Sequence, residues 1–203
     1  VDDDDAVRGA LSLLLETVGL SVRSFASPEV FLSKSGGLTP GCLILDIRMP
    51  AISGLKLQEK LTAQGIDWPT VIISGHGDIE ACRRAFRNGA IDFLSKPVDE
   101  HDLIDAIQKG HAELESRAQL SAEQAEAVAL VEHLSARERE VLGMISKGLM
   151  TKQIAEALGL SPRTVESHRA AIAAKAGTSS AAELTRLWLD AQNRSVELPN
   201  RLR

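Results

Sequence analysis

The chain has 203 residues, 44% hydrophobic and 25% charged, which fits one large domain or two ordinary ones and excludes collagen-like and wholly disordered polymers. Its formal charge of −5 is split: residues 1–134 hold 12 Lys and Arg against 21 Asp and Glu (−9), whereas residues 135–203 hold 11 against 7 (+4). An acidic front and a basic back suggest two domains, the second facing a polyanion.

No apolar run approaches the roughly 18–20 residues that cross a bilayer, so no membrane partner is expected. No charged-then-apolar leader is expected either. Cys42 and Cys82 lie far apart without a CxxC, which argues against a disulfide framework or a zinc site. A reducing cytoplasm fits, with both thiols as small buried hydrophobes. Val1 followed at once by Asp2–Asp5, with no methionine, reads as a start inside a longer protein.

The front alternates strands with helices. Leu11, Leu14, Leu15 and Val18 form a helical stripe within residues 7–18. Residues 22–25 alternate as a strand and stop at Ser27-Pro28, a pair that opens helices. Residues 42–45 and 71–73 are continuous apolar runs ending at Asp46 and at Ser74-Gly75, the pattern of strands buried on both faces. Residues 79–88 predict a helix stopped by Gly89, and residues 91–94 a last strand ending at Ser95-Lys96-Pro97. With a first strand of which only Val1 remains, this predicts a doubly wound, five-stranded parallel α/β sheet.

From His101 the pattern is helical. Residues 109–132 are rich in Ala, Glu and Gln without proline and predict a long connecting helix. Ser135 and Glu138 fit a capping box opening a helix that ends before Gly148. A short helix follows over residues 151–158, and Ser161-Pro162 launches a longer one toward Gly177. Ser180 and Glu183 fit a second capping box, with Leu184, Leu187 and Trp188 as core in preference to a dimer seam, and the tail after Gln192 is expected to fray. Four helices with a glycine turn between the second and third predict an all-α helix-turn-helix domain.

In an open parallel sheet, ligands sit outside the carboxyl ends of the strands. There the strands deliver Asp2 and Asp3, then Asp46, Ser74 and Lys96. Three carboxylates together repel one another and call for a cation. Hard oxygen donors with incomplete protein coordination favour Mg²⁺. A carboxylate beside Mg²⁺, with a hydroxyl and an ammonium opposite, is a place to form an aspartyl phosphate. A lone loop histidine, His76, is read as a surface residue rather than a ligand.

Val1-Asp2-Asp3, Leu45-Asp46-Ile47-Arg48-Met49-Pro50, Ser53-Gly54, Ile73-Ser74-Gly75-His76-Gly77-Asp78 and Asp92-Phe93-Leu94-Ser95-Lys96-Pro97 resemble the flavodoxin-like receiver domain of two-component response regulators. The His-Gly-Asp points to the FixJ branch, and residues 41–63 and 148–159 are most similar to the StyR type. The resemblance implies that Asp46 is the phosphoacceptor. It implies that Asp3, Asp46 and the Arg48 carbonyl bind Mg²⁺, with Asp2 acting through water. Ser74 would donate its hydroxyl to the phosphoryl group, Lys96 would pair with it, and Phe93 would be the aromatic switch. It also implies a cis Lys96–Pro97 peptide, a sensor histidine kinase as donor, and a homodimer on phosphorylation through residues 81–87 and 101–107.

Residues 134–142, 151–155 and 161–169 resemble the LuxR-type helix-turn-helix of the FixJ/NarL class. There the third helix enters the major groove of double-stranded promoter DNA. Ile154, Leu158, Leu160, Val165 and Ile172 are the expected core. Lys152, Arg163, Arg169 and Lys175 are expected at phosphates, Thr164 and His168 at the backbone, and Glu166 and Ser167 at base edges, where a glutamate accepts from cytosine N4. The expected organisation is a receiver over 1–110, a helical linker over 111–133 and a DNA-binding domain over 134–203, with RNA polymerase as a partner and no enzymatic turnover. A phosphohydrolase of the haloacid-dehalogenase type would need a second acid two residues after Asp46, where the chain has Arg48. A regulator with a vestigial receiver would not be expected to keep Asp2, Asp3, Asp46, Ser74 and Lys96 together.

Overall fold

The computed structural model describes residues 1–75 and 79–197, and it separates into two compact units, Val1–Arg117 and Ala118–Arg203. His76, Gly77 and Asp78 lie outside the described residues, as does the expected tail beyond Glu197.

The first unit is built on three parallel strands, β1 (Leu43–Asp46), β2 (Thr70–Ser74) and β3 (Ala90–Ser95), in the order β1-β2-β3. Asp46 pairs with Ile73 in register, and Ser74 with Ser95, so both polar residues arrive at the same carboxyl edge. Helices α1 (Asp5–Thr17), α2 (Pro28–Ser35), α3 (Gly54–Ala63) and α4 (Ile79–Arg87) surround the sheet, together with the start of α5 (Glu100–Glu132). Strand side chains alternate between faces. Ile72 therefore joins Phe31, Leu45, Leu57, Leu61 and Ala85 on one side, and Val71 joins Leu15, Leu103, Ala106 and Ile107 on the other. This is the expected doubly wound packing.

The five expected strands are three among the described residues. Beside β1, Val1 exchanges ladder bonds with it: its amino group donates to Ile44 O at 2.6 Å, and its carbonyl accepts from Asp46 N at 3.0 Å. Residues 22–25 meet the same line through Asp2 N, which donates to Phe25 O at 3.2 Å. Residues 22–25 are not among the strands of the described residues.

Helix α3 adds to the predicted elements, and its start is well specified: Ser53 Oγ accepts from Lys56 N at 3.3 Å. The helical stretch from 101 and the connecting helix are one element, α5, which runs 33 residues and continues past the division between the units. Both cysteines are free thiols and half-buried rather than buried. Cys42 lies against α5 where Gly110 lets the helix approach: a Cβ there would stand 2.7 Å from the Cys42 sulfur. Burial pushes the Cys42 thiol up to about 12.

The second unit holds α6 (Ala136–Ile145), α7 (Thr151–Leu158), α8 (Pro162–Ala176) and α9 (Ala181–Glu197). Helix α9 continues five residues beyond the expected fraying point at Gln192. Ile154, Val165 and Ile172 are fully buried with Val141, Leu142 and Leu184, while Leu158, Leu160, Leu187 and Trp188 pack half-buried against them. Gly159 turns α7 into α8 at φ +64°, a conformation glycine adopts without steric cost. The box at α6 forms as expected, Ser135 Oγ accepting from Glu138 N and Glu138 Oε2 accepting from Ser135 N at 2.7 Å. The box at α9 does not close. Ser180 Oγ reaches Glu183 N only at 3.5 Å, and the Glu183 carboxylate is taken by the Thr178 hydroxyl.

Lys175 Nζ, 2.7 Å from Glu138 Oε2, ties the end of α8 to the cap of α6. That ammonium first, and the Ser135 N–H second, hold the Glu138 carboxyl at a pKa of about 2, against an ordinary value of 4.5. Such a carboxyl stabilises the fold fully above about pH 4.5, and its contribution fades as pH falls through 2. Glu138→Gln should therefore cost the second unit about 1 kcal/mol at pH 7, the scale of one net hydrogen bond, with the difference shrinking toward pH 2. Urea titrations followed at Trp188, with Trp68 replaced by Phe, check this.

Candidate functional site

The acidic run at the start of the chain is divided among four jobs by the geometry of a helix start. Asp4 is the N-cap of α1, its Oδ1 accepting from Ala6 N at 2.8 Å and Val7 N at 3.1 Å. Those backbone bonds, Val7 first, lower its pKa. Asp5 lies in the first turn, where a negative charge complements the helix dipole, and pairs with Arg8. Asp3 is exposed, and Asp2 is turned inward and 4% exposed. Asp2 is fixed there by Asp4 N, which donates to its Oδ1 at 2.9 Å, and by Arg8 Nη1, which donates to its carbonyl at 2.8 Å.

Asp2 meets Asp46, which closes β1 and is 5% exposed. One ammonium serves both: Lys96 Nζ lies 2.8 Å from Asp2 Oδ2 and 2.7 Å from Asp46 Oδ1. Burial alone pulls the Lys96 pKa down, but the hydrogen bonds to Asp2 and Asp46 outweigh it, and the group ends above its ordinary value. Two buried carboxylates around one cation leave a net negative charge. Ser74 ends β2 beside them, 3% exposed, and its carbonyl accepts from Lys96 N at 2.7 Å. The Lys96–Pro97 peptide is cis, as expected. Phe93 is half-buried and packs on the core cluster of β1 and α3.

The loop after Asp46 is shaped by two close approaches. Ala51 has φ +62°, and Ile52 N donates to Pro50 O at 2.7 Å, a γ-turn of the strained hand. A Cβ on Gly54 would lie 2.2 Å from the Asp46 carbonyl oxygen, so only glycine lets α3 begin there. Sequence reasoning passed over this glycine's role, although its place after the N-cap Ser53 was visible. Arg48 is exposed, so no acid stands where a phosphohydrolase would need one.

The donor set fits a hard divalent cation: buried carboxylate oxygens with uncompensated charge. Mg²⁺ keeps several waters and takes one or two carboxylates. Among the described residues no three acidic, His or Cys side chains gather closely enough to enclose an ion.

In the second unit, the expected DNA contacts divide in two. Lys152 and Arg163 are exposed, and Arg169 and His168 half-buried; Lys152, Arg163 and Arg169 make no ion pair among the described residues. The others are engaged within the unit. Thr164 shares a hydrogen bond with Ser161 at 2.8 Å, and Ser167 Oγ donates to Arg163 O at 3.1 Å. Glu166 accepts from the Thr151 hydroxyl at 2.5 Å, and Lys175 is bound to Glu138.

Lys96→Gln removes the one cation between Asp2 and Asp46. It should destabilise the first unit by roughly 2–3 kcal/mol, below the full figure for a buried pair because the lysine side chain is 25% exposed. Urea unfolding followed at Trp68, with Trp188 replaced by Phe, measures it.

Comparison with known proteins follows the same division. The family described as "Response regulator receiver domain" matches residues 1–108, and "Bacterial regulatory proteins, luxR family" matches residues 132–188. Response regulator protein TmoT of Ectopseudomonas mendocina is 43% identical over 187 residues, 92% of this chain and 85% of TmoT. Transcriptional regulatory protein FixJ of Azorhizobium caulinodans is 40% identical over 189 residues, 93% of this chain and 90% of FixJ. The solved structure of response regulator StyR superposes with a TM-score of 0.77 at 43% identity, covering 92% of this chain and 94% of that one. The chain therefore belongs to the two-component response regulators of the FixJ type, transcriptional regulators that join a receiver domain to a LuxR-type DNA-binding domain.

Proposed function

We propose that Asp46 is the phosphoacceptor of this regulator, and that its phosphorylation by a sensor histidine kinase controls DNA binding by the second unit. The observation that carries this reading is the Asp2–Lys96–Asp46 cluster, buried at the carboxyl edge of the sheet with a net negative charge. Attack by an Asp46 carboxylate oxygen on the phosphorus of a phosphohistidine forms the acyl phosphate bond and breaks the P–N bond, whose electron pair returns to the imidazole. Asp3, Asp46 and the Arg48 carbonyl would hold Mg²⁺, with Asp2 acting through water; the ion supplies charge neutralisation for the phosphoryl oxygens. The phosphoryl group adds about 1.5–2 negative charges. Lys96, already between the carboxylates, then faces a more strongly charged partner, and the Ser74 hydroxyl donates to a phosphoryl oxygen. Phe93 moves inward behind Ser74 as the switch. The differential contacts of Lys96 and Ser74 with the two charge states supply what a population shift requires.

In this reading Val1–Asp2 and residues 22–25 run as the remaining lines of a five-stranded sheet, supported by the ladder bonds at Val1 and Phe25. Receiver, linker and DNA-binding domain take 1–110, 111–133 and 134–203, the regulator works in the cytoplasm with RNA polymerase, and Asp46 is an acceptor rather than a turnover enzyme's nucleophile. Phosphorylation dimerises the chain through residues 81–87 and 101–107; Phe86, 49% exposed, offers that face an apolar anchor. Lys152, Arg163 and Arg169 contact phosphates with Thr164 and His168 at the backbone, Lys175 reaches DNA only by leaving Glu138, and Glu166 and Ser167 read base edges.

Asp46→Asn should abolish labelling by acetyl phosphate on a Phos-tag gel, and EDTA should abolish it in the unmodified chain; labelling that survives the substitution excludes Asp46. Beryllofluoride should double the mass in light scattering, and an unchanged mass counts against the dimer. In mobility-shift titrations, Arg169→Ala should weaken binding to all duplexes, whereas Glu166→Ala should erode preference between them, by about 1–3 kcal/mol at one base pair.

A further inference from the structure

A glutamate on the exposed face of a recognition helix has three rotatable side-chain bonds, and ordering it costs side-chain entropy. A carboxylate free to rotate also offers its oxygens in many directions, so it discriminates poorly between base edges. Glu166 is exposed on α8, yet it is not free. The Thr151 hydroxyl, at the first residue of α7, donates to Glu166 Oε1 at 2.5 Å. An O–H to carboxylate bond of this length belongs to the strong, charge-assisted class.

The donor is suited to hold a direction. Threonine is β-branched and stiff about χ1, and Thr151 is half-buried on a helix whose Ile154 and Ala155 lie in the core of the unit. Its hydroxyl has one proton to give, and Glu166 takes it on one oxygen. The second oxygen, Oε2, is left to accept from outside. Because a carboxylate only accepts, the base edges it can satisfy are those that present an amino group to the major groove: cytosine N4 and adenine N6.

We infer that Thr151 is a specificity-determining positioning residue. It reaches from the first helix of the helix-turn-helix to the second, clamps one oxygen of Glu166, and so aims the other at the amino edge of a base. The inference rests on the reading of Glu166 as a base-contacting residue and adds to it the group that orients it. It assigns Thr151 no contact with DNA of its own.

The test uses the full chain and a pool of DNA duplexes with a randomised core, sequencing the bound fraction for the unmodified chain, Thr151→Val, Thr151→Ser and Glu166→Ala. Glu166→Ala identifies the base-pair column that Glu166 reads. At that column, Thr151→Val should lower the preferred-to-disfavoured base ratio by roughly three- to tenfold, the change one net hydrogen bond makes. Thr151→Ser, which keeps the hydroxyl, should restore most of it. Affinity for sonicated genomic DNA should stay unchanged in Thr151→Val, and its unfolding transition at Trp188 should move no further than that of Glu166→Ala, which a merely structural role would not allow. A wild-type ratio at that column in Thr151→Val overturns the inference, and so does a uniform loss across all columns together with genomic DNA, which would make Thr151 a phosphate contact. If Glu166→Ala flattens no column, the readout assignment itself falls, and the inference with it.

Discussion

The first unit is organised around an electrostatic debt at the end of its sheet. Strands buried on both faces have no use for charge along their length, so the charged groups are pushed to the carboxyl edge, where Asp46 and Lys96 emerge from β1 and the end of β3. Parallel pairing in register then brings them together with Ser74, because β2 lies between the two strands. Lys96 at 2.7 and 2.8 Å from two carboxylates satisfies one of them fully but not both. Neutral packing would be more stable than such an incompletely paired cluster. A site that holds its charge slightly out of balance is one that an ion or a transferred group can tip.

The surrounding backbone keeps that imbalance in place at some cost. Ala51 adopts a positive φ that glycine would take more easily, and Gly54 crowds the Asp46 carbonyl so closely that no side chain fits. Ala51 lies in the seven residues between Asp46 and α3, and Gly54 is the first residue of α3, so the position of Asp46 is coupled to the start of that helix. Strain of this kind persists only where the neighbouring structure over-determines it. Here the determinants are the buried Met49 and Leu55 on either side of the turn.

Much of this was legible from residue order, because the signals are local and strong. An aspartate closing an apolar strand, a serine three residues before a glutamate at α6, and Ser161-Pro162 before α8 each specify a boundary by short-range chemistry, and each forms as read. What escaped depends on partners distant in the chain. Residues 22–25 have a strand's alternation, but a strand also needs paired neighbours, which alternation alone does not specify. Ser180 and Glu183 have the same spacing as the box at α6, yet Thr178 competes for the carboxylate. Lys175 looks like any solvent-facing lysine until Glu138, thirty-seven residues earlier, is brought beside it.

The same contrast separates the basic residues of the second unit by what they are free to do. Lys152, Arg163 and Arg169 carry charge that no acid among the described residues pairs with, and such charge acts at a distance on a polyanion without choosing sequence. Glu166, Thr164 and Ser167 are instead tied into short hydrogen bonds before any ligand arrives. Cations on α7 and α8 and hydrogen-bonded polar groups on α8 offer a ligand different things. The first provide attraction that tolerates any register, and the second provide geometry that tolerates few. A negative carboxylate among them lowers the overall attraction to DNA; in the proposed reading its direction is set from the neighbouring helix, where the Thr151 hydroxyl donates to it, rather than from α8 itself.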